Sequence, residues 1–188
     1  MAIPADHITL DPRRFSIRLP RPLWIGVAAV VLVVVAIGLQ FGLPIYKQQS
    51  AIREIRRLNG GVEMRPRGPE WLRNRVGGER MKPFDDVILV DLTGTQATDA
   101  TLGHVGLLTD LQRLSLAHTH VSDIGLAYLK ELTCLQVLVL NNTQVTDVGL
   151  AHLKGLPRLQ SLSLNKAQVT DAGVADLQHA LPELRIFK

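Results

Sequence analysis

The sequence predicts an α/β solenoid of short parallel strands and helices, preceded by one transmembrane helix. Three observations predict it. A pattern returns every 24 residues through the second half of the chain. Within each copy, apolar residues first alternate and then recur at helical spacing. A stretch of 21 residues near the N-terminus carries no charge.

A chain of 188 residues is long enough for one ordinary domain plus an anchor. Aromatic residues make up only 4% while leucine and valine dominate. An aliphatic core suits stacked repeats better than an enzyme built around a large aromatic pocket. The net charge of +4 is unevenly spread. Residues 1–22 carry four arginines against two aspartates, and residues 44–86 carry ten Lys/Arg against six Asp/Glu. Residues 87–188 reverse the sign, with seven against nine. Basic residues beside an apolar segment are attracted to anionic lipid head groups. The scarcity of aromatics near them argues against nucleic acid as the partner. The lone Cys134 forms no intramolecular disulfide and leaves the redox compartment open. It reads as a small residue at a turn between repeats.

After an N-terminal tail (1–22), residues 23–43 read LWIGVAAVVLVVVAIGLQFGL. As a helix, Leu23–Leu43 would span about 31 Å at 1.5 Å per residue, matching the hydrocarbon core of a bilayer. A bilayer forces backbone hydrogen bonds to close internally, so helix prevails despite the many valines. Pro20 and Pro22 bound it on one side and Pro44 on the other, and Trp24 and Tyr46 fall where interfacial aromatics are expected. The competing reading is a cleavable signal peptide. The stretch exceeds a usual signal core and no A-x-A-like site follows, which favours an uncleaved signal-anchor. Positive charges on the two sides are tied. The expectation is a single-pass protein of the bacterial inner membrane, N-terminus inside and repeats outside, because a long following domain translocates regardless of charge. Gly38 and Gly42 form a G-x-x-x-G pair, the spacing that lets two helices approach closely, although small residues are common in such spans.

Residues 44–59 predict an amphipathic linker helix, with Ile45, Ile52, Ile55 and Leu58 on one face. That face either lies on the membrane surface or packs on the first repeat. Gly60-Gly61 ends it. Residues 60–86 read as an N-terminal cap of the solenoid, with a short helix opening at Pro69 and closing at Gly77-Gly78. A solenoid needs its first unit covered, and Trp71, Leu72, Val76 and Phe84 are the expected cover.

The repeat domain occupies 87–188. Four units begin at Val87, Leu111, Leu135 and Leu159, and LRIFK starts a fifth. The shared pattern is L-x-x-L-x-L-x-x-T-x-V-[ST]-D-x-G-L-A-x-L-x-x-L. In the third unit Leu138 and Leu140 flank Val139, a strand alternation. Val148, Leu150, Leu153 and Leu156 follow near helical spacing. Thr146-Asp147, like Ser122-Asp123 and Thr170-Asp171, is a helix-start signal: the hydroxyl caps an N–H and the carboxylate faces the positive end of the helix dipole.

This pattern resembles the leucine-rich repeat, in the T-D-x-G-L variety related to the cysteine-containing subclass of F-box proteins. With its anchor, Gly-Gly-Val junction and W-L cap, the chain is similar to bacterial single-pass membrane proteins of this kind. The resemblance implies a short leucine-rich-repeat solenoid, with a parallel sheet and convex helices, that binds a protein partner. No F-box is visible.

Equivalent residues stack as columns about 4.8 Å apart, which turns suspicious side chains into structural ones. Thr95, Thr119, Thr143 and Ala167 occupy one column, where each hydroxyl is expected to bond the neighbouring turn's backbone. Asp99, Asp123, Asp147 and Asp171 form another, assigned to helix capping rather than to a cation. His104 and His152 stand two repeats apart, too far to share one zinc. No nucleophile–base pattern appears, so no enzyme, cofactor, metal or small-molecule substrate is expected.

A partner would meet the concave face. Its expected residues are Leu89, Asp91, Thr93, Arg113, Ser115, Ala117, Val137, Val139, Asn141, Ser161, Ser163 and Asn165, with His118, Asn142 and Lys166 on the rim. The mixture of apolar and polar groups is that of ordinary interfaces. A bare edge at LRIFK can template pairing with a second copy. The expected function is a membrane-anchored module for protein–protein interaction; the alternative is an adaptor of a protein-modification or degradation complex.

Overall fold

The computed structural model describes residues 21–37 and 43–188. The chain divides between Gln40 and Phe41 into two compact units. The first contains helix α1 (Arg21–Ile37), 17 residues long. Val27 and Val30 to Val35 on it are each at least half exposed. Among the described residues no helix is long and apolar enough to cross a membrane. The expected span runs on past Ile37, and residues 38–42, with the Gly38/Gly42 pair, lie outside the described residues, as does the tail 1–20.

The second unit begins with α2 (Leu43–Arg57), so the linker helix starts one residue earlier and ends two earlier than expected. Pro44 falls in its first turn, where a missing N–H costs nothing. The inner face of α2 is apolar: Ala51 and Ile55 are fully buried and Ile52 is 3% exposed. All three belong to the one hydrophobic core of the repeats. The helix therefore packs on the first repeat, and does not lie free on its apolar face. It ends in a left-handed turn at Asn59 (φ 58°). The Gly60 N–H donates to Ile55 O at 2.9 Å and the Asn59 N–H to Arg56 O at 3.0 Å, which satisfies two orphan carbonyls of the last turn. Gly60 leaves room here, because a Cβ would stand 2.7 Å from the Leu92 side chain and 2.8 Å from that of Ile55, so one of them would have to shift.

Strand β1 (Gly61–Arg65) then pairs antiparallel with β2 (Asp86–Asp91), with a bulge at Glu63/Met64. The sequence reading has no strand here. The cap also differs from expectation in what covers the core. Trp71 is 68% exposed, Phe84 47% and Val76 39%. Helices α3 (Glu70–Val76) and α4 (Gly78–Met81) bury no residue. The cover comes from α2, together with Val62 and Met64 of β1. The loop 66–85 is held instead by a polar hub. Asp85, 6% exposed, accepts from the Arg73 guanidinium and from Arg67 N–H at 3.2 Å, while its carbonyl accepts from Gln48 Nε2.

Four parallel strands continue the sheet: β3 (Arg113–Ser115), β4 (Val137–Val139), β5 (Ser161–Ser163) and β6 (Arg185–Phe187). Neighbours in space are neighbours in sequence. The register is constant, Val90 facing Leu114, Leu114 facing Leu138 and so on to Ile186. Leu114, Leu138 and Leu162 are at most 1% exposed, forming one layer of the core. On the opposite side lie α5 (Asp99–Val105), α6 (Asp123–Leu126), α7 (Asp147–Leu153) and α8 (Asp171–Ala180). Leu150 and Leu153 turn inward from α7, but Val148 is 67% exposed and does not belong to its apolar face.

The aspartate column does more than cap its own helix. Thr98, Ser122, Thr146 and Thr170 are the caps. The first three following aspartates reach forward to the next repeat's cap, and Asp171 in the last unit meets Lys188 instead. Asp99 Oδ1 accepts the Ser122 N–H at 2.8 Å and its Oδ2 the Ser122 hydroxyl at 2.6 Å. Asp123 receives Thr146 at the same two distances, and Asp147 receives Thr170. The two bonds from Thr170 hold the Asp147 carboxyl below the usual range. The motif's glycine follows from the same contact. A Cβ on Gly125, Gly149 or Gly173 would overlap the clamping carboxylate of Asp99, Asp123 or Asp147. Threonines in the other column bond within their own turn, not the neighbour's: Thr119 Oγ1 donates to Leu116 O at 2.6 Å and Thr143 Oγ1 to Leu140 O at 2.8 Å.

Candidate partner-binding face

Parallel pairing without register change places the face residues in straight rows across the sheet. One row is Leu89, Arg113, Val137, Ser161 and Arg185; the next is Asp91, Ser115, Val139, Ser163 and Phe187. Strand β1 extends both, setting Glu63 beside Leu89 and Gly61 beside Asp91. The sequence reading missed Glu63, although V-E-M-R alternates with the period of a strand.

Strands β2, β3 and β4 border a shallow depression of about 120 Å³ whose surface side chains are Leu89, Asp91, Arg113, Ser115, Val137 and Val139. Leu89, Val137 and Val139 are half-buried and Arg113 is exposed. Arg113 makes no ion pair or side-chain hydrogen bond among the described residues and lines the depression beside these aliphatic side chains. A second recess of about 480 Å³ is lined by Val137, Gln160, Ser161, Glu183, Arg185 and Phe187. The face is thus aliphatic at its centre, acidic toward Glu63 and Asp91, and basic at Arg113 and Arg185.

A third row divides. Ala117 is 7% exposed and is not a surface residue, contrary to expectation. Asn141 is tied laterally: its Oδ1 accepts from Ser163 Oγ at 2.7 Å and from Asn165 N–H at 2.9 Å. Thr93 and Ser115 share a hydroxyl bond of 2.7 Å. These polar groups bond one another across strands, which leaves Arg113 and the valines as the available contacts.

The rim is a column of left-handed turns. His118, Asn142 and Lys166 have φ of 58°, 53° and 58°, and Gly94 takes the same place in the first unit at 68°. The turn reverses the chain at once after its N–H has reached the next repeat, as in His118 N–H to Asn141 O at 2.8 Å. His118 Nδ1 also meets Asn142 Nδ2 at 3.1 Å. Lys166 makes no side-chain hydrogen bond among the described residues and has a Cβ in a region that costs L-residues roughly 1–2 kcal/mol. Lys166→Gly is expected to stabilise the protein, by up to about 1 kcal/mol after the added freedom of the unfolded chain is subtracted. Urea denaturation checks it: a lowered midpoint would mean that the lysine makes a contact worth more than the strain.

Among the described residues no three His, Cys, Asp or Glu side chains converge as a metal site would require. Cys134 is half-buried beside Arg158.

Fold and face together define a solenoid of stacked strand–helix units with an open sheet surface. Residues 109–152 match the family model described as Leucine Rich repeats (2 copies). Among solved structures, an internalin from Listeria monocytogenes is similar at 20% identity and a TM-score of 0.35, over 46% of this chain and 31% of that one. The chain thus spans less than a third of that relative. No curated protein matches the sequence.

Proposed function

We propose that this chain is a membrane-tethered interaction module whose open sheet face binds a protein partner. The observation that carries the binding reading is the unpaired Arg113 set between the half-buried Leu89, Val137 and Val139 in a shallow depression. An arginine on an aliphatic floor is the composition of an interface centre, where desolvated Arg and apolar anchors supply most of the affinity. The tethering reading rests on the uncharged stretch 23–43 and its basic flanks. It is that of an uncleaved signal-anchor in a bacterial inner membrane, with the repeats outside.

The test is proximity labelling from the intact protein, beside a variant carrying Arg113→Glu and Val139→Asp. Both side chains contact solvent, so the variant should fold, as circular dichroism would verify. A set of proteins labelled by the native chain and lost in the variant supports the reading. Identical sets from both, or from a control carrying residues 1–43 alone, refute it. Protease protection of intact cells reads the orientation.

A further inference from the structure

Two features of the second unit are not used by the sheet face or by the core. The first is a group of large apolar side chains held outward at one end. Leu43 and Tyr46 lie on the outer side of α2, 50% and 67% exposed, while Ala51, Ile52 and Ile55 face inward. Trp71, Val76 and Phe84 stand out from the loop that follows β1. The polar hub brings these two sets to the same end: Gln48 Nε2 donates to Asp85 O. Gln48 is five residues into α2, about 8 Å along its axis from Leu43. The Phe84–Asp85 junction is therefore fixed beside the first turns of α2, the part of the unit that follows α1 in the chain.

The second feature is charge. The stretch 43–82 holds ten Lys/Arg and four Asp/Glu. Several of the cations have a local partner: Arg73 pairs with the buried Asp85, and Arg65 and Arg67 share Asp86, both aspartates just beyond this stretch, while Lys82 pairs with Glu79 and Arg57 with Glu54. Lys47, Arg75 and Arg80 are exposed and form no ion pair among the described residues. Lys47 follows Tyr46, and Arg75 lies one helical turn beyond Trp71 on the same side of α3. Tryptophan, tyrosine and phenylalanine interleaved with unpaired cations match the chemistry of a bilayer interface. There the aromatic rings sit at head-group level and each cation meets an anionic lipid.

We propose that this end of the solenoid, formed by the first turns of α2 and the 69–84 loop, is a second membrane contact that docks on anionic lipid. It goes beyond tethering, since it fixes how the repeats sit on the bilayer and gives a role to a tryptophan on a helix, α3, that buries no residue. A protein partner at this end would not require anionic lipid, and that difference is what the experiment reads.

The chain has two tryptophans, Trp24 in the stretch read as the anchor and Trp71 in the loop, so each reports one claim. The full chain carrying Trp24→Phe is placed in nanodiscs of brominated phosphatidylcholine, with or without brominated phosphatidylglycerol. Trp71 emission is expected to shift to the blue and fall about two-fold or more in the anionic discs only. Salt at 1 M, where the Debye length is ~3 Å, should restore it. So should Arg75→Glu with Arg80→Glu, both exposed side chains without an ion pair among the described residues. Trp71 emission that is the same in both discs and in detergent overturns the proposal. So does a change that is insensitive to salt and to the charge reversal. The chain carrying Trp71→Phe reads Trp24 in the same discs. Quenching of Trp24 without Trp71 leaves the anchor standing and removes the second contact; an unquenched Trp24 removes the anchor instead.

Discussion

Asp123→Ala is expected to destabilise the repeat unit by about 3 kcal/mol, since it removes two charge-assisted hydrogen bonds to Thr146 at 2.8 and 2.6 Å. A helix-capping aspartate worth only its dipole interaction would cost roughly 0.3–1 kcal/mol. The difference decides whether the residue serves its own helix or joins two repeats. A second substitution sharpens the test. Gly149→Ala alone places a Cβ on the Asp123 carboxylate and 3.1 Å from both its Cγ and a Leu126 methyl. The expected cost is about 1–3 kcal/mol from strain and a displaced clamp. In the Asp123→Ala background that carboxylate is gone, and the glycine substitution should become nearly neutral. A double-mutant cycle by urea denaturation reads the coupling directly. Strict additivity would show that the glycine is kept for some reason other than room for the aspartate.

Ile55→Ala should cost about 3 kcal/mol, as deletion of a fully buried isoleucine side chain does when the cavity cannot collapse. The exposed neighbour Arg56→Ala should change stability by no more than roughly 0.5 kcal/mol. That contrast distinguishes a helix that completes the core from one that rides on a surface. Equal, small effects from both would mean that the repeats fold without α2. Because Ile55 belongs to the same core as Leu92 and Leu102, unfolding should remain a single transition that moves as a whole.

Much of this architecture was legible because the repeat makes it redundant. The alternation around Leu138 and the spacing of Leu150 and Leu153 each recur at a fixed offset, so the period located every strand from β2 onward. It also turned polar residues into columns before any geometry was known. The cap lacks this redundancy. Strand β1 occurs once, pairs antiparallel, and is followed by Pro, Gly and Arg that read as loop. Trp71 reads as core in the sequence because it is large and apolar, yet a seven-residue helix does not reveal whether its outer face has a neighbour. The aspartates illustrate a deeper limit. A carboxylate next to Ser or Thr at a helix start satisfies capping and clamping equally well in one dimension. Only the offset between stacked units shows that Asp123 bonds Thr146, 23 residues away. Of the face residues, the rows were readable from alternation. The lateral bonds that occupy Asn141 and leave Arg113 free were not, because they depend on cross-strand distance.

The clamp has a direction, from the cap of one unit to the aspartate of the unit before it. Every internal unit therefore presents the same donor pair behind it and the same acceptor pair ahead. Removing or inserting a whole 24-residue segment would rejoin like with like, leaving no polar group stranded and no glycine opposite the wrong atom. A fractional insertion would break both at once. The bond that fixes neighbouring repeats also sets the unit by which the solenoid can lengthen or shorten through duplication and loss, so that the breadth of its open sheet face is adjustable in steps without redesign of the core.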